Sequence, residues 1–278
     1  MLIDRVSVIF HCAATVRFDE DLKDAIFSNT RSTQDICILA ENMKQLVVLI
    51  HVSTTYGQCD KPVVKEMLYP TEFDWKKAIK IAESVDDYLL KILTAKYMKN
   101  IPNTYILSKI LAEQVISDYS KSLPCVIIRP SIVISTMEDP FKGWIDNFNG
   151  PVGLLIGGSK GLVRTFYADS SIISDYMPVD LVIKAMIIAA WKRGIQPKNN
   201  IVDVYHCSSN GIKSLSLRTI TNVGLEITKD IPFENVIWKS QTIITNSNFI
   251  YYILLLLLHV IPAIILDGIL KLIGARPM

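Results

Sequence analysis

Tyr105 and Lys109 form the only YxxxK in the chain. On a helix, that four-residue step places both side chains on one face. Upstream, Ser53, Thr54 and Thr55 form a cluster of hydroxyls directly after an apolar run at 46–51. These residue types fit reduction of a carbonyl. Hydride delivered to a carbonyl carbon leaves an oxyanion, which needs a proton donor and hydrogen bonds where the charge develops. Tyrosine, with a reference pKa of about 10, is a poor acid near neutrality. One ammonium at about 4 Å in an effective dielectric of 20 is worth about 4 kcal/mol, or up to roughly 3 pK units. Lys109 can be that cation and Tyr105 the proton donor. Thr54 would hydrogen-bond the substrate oxygen, with Ser53 as the second choice. Taken alone the pair says little, because eleven tyrosines can produce it by chance and a surface Tyr–Lys contact accounts for it equally well. Cys59 lies nearby in sequence, but a single cysteine without a base reads as structural and not as a nucleophile.

These residues need a scaffold. Short runs rich in Val and Ile at 6–10, 46–51 and 126–128 read as buried parallel strands. Between them lie helical patterns at 21–43 and 105–120, the latter with Leu107, Ile110, Leu111 and Val115 on one face. This alternation predicts an α/β fold with a doubly wound, Rossmann-like parallel sheet. Thr54 and the stretch Arg129, Pro130, Ser131 would leave adjacent strands at the C-terminal edge, where ligands bind in such sheets. A further helix is expected at 71–99, opening with Thr71 and Asp74 in capping positions and forming an insertion over the site. Residues 140–161 read as a long functional loop and 179–191 as one more helix. The first glycine is Gly57, so no Gly-rich strand-to-helix turn precedes the hydroxyl cluster. The sheet is therefore expected to be incomplete at its N-terminus and to expose an unpaired edge.

Bulk properties narrow the function. A net charge of +2, with both signs interspersed, excludes a nucleic-acid footprint. Five cysteines without a CxxC pair point to neither a disulfide framework nor a metal site, and favour a reducing compartment. Mean hydropathy is +0.32, and much of the excess lies at 249–273. Seventeen of those residues are Leu, Ile, Val or Phe, which favours membrane over a buried core helix. Pro262 leaves a kinked span, a shallow hairpin or an interfacial helix pair open. The expected division is a reductase domain over 1–235 and a membrane-associated hydrophobic helical tail over 236–278.

Longer signatures are more specific than YxxxK. The run VSVIFHCAATVRFDE at 6–20, the pair Ser53 and Thr54, Tyr105 with Lys109, and RPSIV at 129–133 occur in order. They continue in GWIDN at 143–147, GPVG at 150–153, DYMPVD at 175–180 and the tail at 259–277. With these, nearly the whole chain resembles the alcohol-forming fatty acyl-CoA reductases of the extended short-chain dehydrogenase/reductases, particularly those of insects. The resemblance implies long-chain fatty acyl-CoA as substrate and NADPH as donor, with two hydride steps through an aldehyde to a primary alcohol. It implies Thr54, Tyr105 and Lys109 as catalytic residues. Ala13, Ala14, Asn29, Lys109, Pro130, Ser131, Ile132 and Val133 would line the cofactor. It also implies an endoplasmic reticulum or peroxisomal membrane location with the catalytic domain facing the cytosol, and a segment preceding Met1 that holds the Gly-rich turn. A reductase or dehydrogenase of steroid or other lipid carbonyls, and a non-catalytic homologue, are the alternatives. Lys160 and Arg164 read either as contacts for CoA phosphates or as solvated loop charges.

Overall fold

The computed structural model describes residues 2–197, 201–212 and 215–276. The chain forms two compact units, one comprising residues 1–143 and 177–208, the other 144–176 and 209–278.

The first unit is built on four parallel strands in the order β1 (Val8–His11), β2 (Val48–Val52), β3 (Cys125–Pro130) and β4 (Asp203–Cys207). Successive side chains in a strand point to opposite faces, and here both faces are covered. Leu49, Cys125, Ile127 and Val204 enter one core. Val48, Ile50, Val126 and Ile128 enter the other. The first core is closed by a helical segment running through Leu22–Ala25, a π-helical stretch at Ile26–Arg31 and α1 (Ser32–Glu41), and by α2 (Trp75–Ser84), α3 (Asp87–Met98) and α4 (Thr104–Tyr119). The second is closed by α5 (Val179–Ile195), which contributes Val182, Met186, Ala189 and Ala190. The doubly wound parallel sheet expected from sequence is therefore present. β4 is an additional strand that the sequence pattern did not reveal, because Asp203, Tyr205 and His206 break its apolar run.

The expected helix at 71–99 is two helices. Asp74 caps α2 by accepting from the backbone N–H groups of Lys76 and Lys77, and Asp86 caps α3 in the same way at Tyr88 and Leu89. Thr71 makes a local turn instead, accepting from the Phe73 N–H. α2 is not a lid. Its Trp75, Ala78, Ile79 and Ala82 are buried in the first core, and the Trp75 indole donates to Asp118 of α4 at 2.9 Å. α4 has its expected face, with Leu107, Leu111 and Val115 fully buried.

The second unit contains helices Pro151–Ser159 and Leu217–Asp230 and the parallel strand pair Thr165–Tyr167 with Ile243–Thr245. The region 140–161 is thus not all loop, since Pro151 starts a helix at a position where its missing N–H costs nothing. Gly161 is required, because at φ +75° an added Cβ would lie 2.4 Å from the Trp238 carbonyl oxygen. Between the two helices and the strands lies a small apolar cleft of about 80 Å³, lined by Leu154, Leu155, Val163, Phe166, Ile220 and Ile244 among others. Two of its hydroxyls are already engaged: Ser159 accepts from Thr228, and Thr242 donates to the Val163 carbonyl. The tail is one continuous helix, Asn248–Leu272, with a π-helical stretch at Leu256–Val260, so the hairpin and the helix pair are both excluded.

Candidate active site

Because β1, β2 and β3 are parallel, the residues leaving their C-terminal ends share one edge. Ala13 and Ala14 leave β1, the first exposed and the second half-buried. Ser53 and Thr54 leave β2 and are buried. Ser131 leaves β3, buried, and is followed by half-buried Ile132 and exposed Val133. Asn103 caps α4 by accepting from the Ile106 N–H, which fixes where Tyr105 and Lys109 begin their shared face.

Tyr105 and Thr54 come together, close enough for the Thr54 hydroxyl to act on the Tyr105 phenol. The Phe18 ring lies 5.5 Å from the Tyr105 ring. Lys109 is buried, and its ammonium donates to the Val52 carbonyl oxygen at 2.5 Å. The three residues expected to carry the chemistry are thus brought to one place. Ser53 is removed as a second choice, since its hydroxyl donates to Glu113 at 2.5 Å. Thr54 keeps its cap on the turn that follows, accepting from Tyr56 N–H at 3.2 Å.

The electrostatics differ in one respect from the sequence expectation. Tyr105 titrates above the ordinary tyrosine value because burial outweighs the opposing effect of the Thr54 hydroxyl. Lys109 is lowered to about 8, chiefly by burial, against the opposing charge of Glu113 and then Cys12. Its field falls on His11, His51 and Cys12. His11 is lowered to about 4 by burial and then by Lys109, and His51 is held well below its ordinary value for the same reasons. The two rings lie 5.4 Å apart. His11 pairs with the Thr33 hydroxyl at 3.0 Å, whereas both ring nitrogens of His51 are buried without a partner.

These histidines make acid stability predictable. Between pH 6.5 and about 4 the unfolded chain binds a proton at His11 that the folded protein refuses, so stability falls as pH drops through that window and levels off below it. The loss at His11 is on the order of 2–3 kcal/mol, and His51 acts in the same direction. Urea midpoints measured from pH 7 to 4 should fall accordingly, and His11→Asn should flatten the curve. A slope unchanged in that variant would remove His11 as its source.

Asn29 sits in the π-helical stretch and is buried. Its amide accepts from the Thr15 N–H at 2.9 Å and donates to the Thr15 carbonyl at 3.1 Å and to the Ser108 hydroxyl at 2.9 Å. It ties the loop after Ala13 and Ala14 to α4. Sequence reasoning missed a second support, the buried pair of Arg129 and Glu113. Arg129 donates through Nε and Nη2 to both carboxylate oxygens at 2.8 and 2.6 Å, and its remaining donors reach the carbonyls of Lys65 and Met67. Glu113 stands four residues after Lys109, and that spacing was the available signal.

A dinucleotide fits this edge. The Ser131 hydroxyl is buried with no hydrogen-bond partner, and small side chains at Ala13 and Ala14 leave the end of β1 open. Among the described residues no cluster of His, Cys, Asp or Glu could hold a metal ion. Solved structures agree on the class. UDP-glucuronic acid 4-epimerase from Bacillus cereus in complex with NAD superposes with a TM-score of 0.56 at 19% identity, covering 87% of this chain and 66% of that one. A UDP-galactose 4-epimerase does so at 0.56 and 12% identity, over 87% and 65%. The fold is that of NAD-binding epimerases and dehydratases.

Within that class, the family described as male sterility protein matches residues 1–186, and the chain belongs to it. Fatty acyl-CoA reductase 1 of Xenopus laevis is 39% identical over 277 residues, 99% of this chain and 53% of the relative. The Homo sapiens protein of the same name is 38% identical over 100% and 54%. Fatty acyl-CoA reductase wat of Drosophila melanogaster is 35% identical over 99% and 53%. The chain thus spans about half the length of these curated relatives.

Proposed function

We propose that this protein takes part in reduction of long-chain fatty acyl-CoA by NADPH to a primary alcohol, through an aldehyde. The observation that carries the reading is the cluster of Tyr105, Thr54 and Lys109 at the C-terminal edge of the sheet. The relatives' names and the apolar cleft of the second unit, with two of its hydroxyls internally engaged, support an aliphatic substrate.

When bound, NADPH would supply a hydride for each of the two reductions, two molecules being consumed per alcohol. Ala13, Ala14, Pro130, Ser131, Ile132 and Val133 would hold it along the strand ends, with Lys109 on the nicotinamide ribose and Asn29 fixing the loop after β1. NADPH in preference to NADH rests on the family resemblance. Thr54 and Tyr105 hydrogen-bond the carbonyl oxygen and stabilise the charge that develops on it. Collapse of the thioester adduct releases CoA, and Tyr105 donates its proton to the alkoxide formed from the aldehyde. Lys109 is the neighbouring cation of the site, its ammonium fixed on the Val52 carbonyl. No covalent nucleophile is needed, and Cys59 is exposed and away from this chemistry in role. The apolar helix and five free cysteines support residence at an endoplasmic reticulum or peroxisomal membrane, residues 1–235 facing the cytosol and 236–278 forming the membrane-associated tail.

Product analysis tests the reading. Purified protein with palmitoyl-CoA and NADPH should yield a primary alcohol and stoichiometric free CoA. Activity confined to ketones or secondary alcohols, or binding of acyl-CoA with no consumption of NADPH, would overturn it.

A further inference from the structure

We infer that the helix Asn248–Leu272 lies in the plane of a membrane surface and does not cross it, an assignment that rests on the reading of this tail as membrane-associated. By length alone it could cross, since 25 residues span about 37 Å against a hydrocarbon core of about 30 Å. Its attachments to the second unit say otherwise.

Pro262 has no N–H to give the Leu258 carbonyl four residues earlier, and the helix is π-helical over Leu256–Val260, immediately before it. Arg164 reaches this irregular turn. Its Nη1 donates to the Leu258 oxygen at 3.4 Å, and its backbone N–H donates to His259 Nε2 at 3.3 Å. The guanidinium lies over the Trp238 ring, 4.6 Å from its centre. Two turns earlier, Tyr251 packs its ring 5.7 Å from that of Tyr167 in the adjoining strand. Half-buried positions recur on one flank at Tyr251, Leu255, Leu258, Pro262 and Leu270. Immersing this helix across a bilayer would carry Arg164, a strand and their polar neighbours into hydrocarbon, where a charge is disfavoured.

The opposite flank is open and apolar. Phe249, Leu256, Ile264 and Leu272 are 75%, 51%, 66% and 89% exposed. A protein interface of this size would carry hydrogen-bonding groups in its core, whereas a lipid face needs none. Tyr252 is exposed at one end, and Lys271 and Arg276 are exposed at the other, matching the headgroup level and anionic lipids. Lipid is therefore the partner, with the apolar flank sunk into the acyl boundary and Arg164 on the protein side.

The test is the topology of the full chain, tagged at either terminus and added to vesicles of phosphatidylcholine and phosphatidylserine. External protease should remove both tags while the chain floats with the vesicles in high salt. Protection of one tag alone would establish a crossing helix and overturn the assignment, as would failure to float. Alcohol formation is scored separately, so loss of the reductase reading and loss of this placement are distinguishable.

Discussion

Tyr105→Phe should lower kcat/KM for acyl-CoA reduction by about 10² or more while leaving the fold intact. The hydroxyl it removes lies beside Thr54, and the ring keeps its contact with Phe18, so no core packing is lost. Removing the proton donor leaves the alkoxide to be protonated by water, and it takes away one hydrogen bond from the oxygen on which charge develops. The measurement is steady-state NADPH oxidation beside a thermal melt. An unchanged melt with a near-wild-type rate would remove Tyr105 from the mechanism. Thr54→Val, which keeps the shape without the hydroxyl, is the companion variant for the oxyanion role.

The largest stability effect is expected at Arg129. Arg129→Met should cost about 3–5 kcal/mol, because it leaves the Glu113 carboxylate buried beside Ser53 with its cation gone. The guanidinium side chain is 1% exposed and also closes the Lys65 and Met67 carbonyls, which then lose their donor. Glu113→Leu in the same chain should recover part of the loss, since replacing both charges by apolar groups of similar volume removes the unpaired ion. Urea midpoints of the two single variants and the double variant form the required cycle. A single Arg129→Met variant within about 1 kcal/mol of the parent would show that the carboxylate finds another partner or a proton. The pair also bears on catalysis, because Glu113 holds Ser53, the residue that precedes Thr54.

The scaffold was largely legible because it is written in local pattern. Runs such as Val48 to Ile50 and Cys125 to Ile128 are apolar on both faces, as a strand covered on two sides must be. The face shared by Tyr105 and Lys109 follows from helical spacing alone. Where local pattern was ambiguous the reading slipped. The apolar spacing at 71–99 does not show the break at Val85, which Asp86 marks by capping a second helix. β4 was missed because its polar residues interrupt the run that would mark it.

The site's supports were not legible, because they join residues far apart in sequence. Ser53 to Glu113 spans 60 positions and Asn29 to Ser108 spans 79, and no single window contains either pair. The burial that lowers Lys109 and the two histidines is likewise a property of packed layers, not of residue type.

Sequence by itself determined the alternating strands and helices, the order of the reactive side chains and the apolar character of the tail, since each depends on spacing within one element. Only the tertiary structure decided that the Ser53 hydroxyl is held by Glu113, that Arg129 and Glu113 underpin the edge, and that Arg164 fastens the tail at its middle. The physical reason is that hydrogen bonds and desolvation act at distances of a few ångströms, which folding sets between residues that the chain keeps apart.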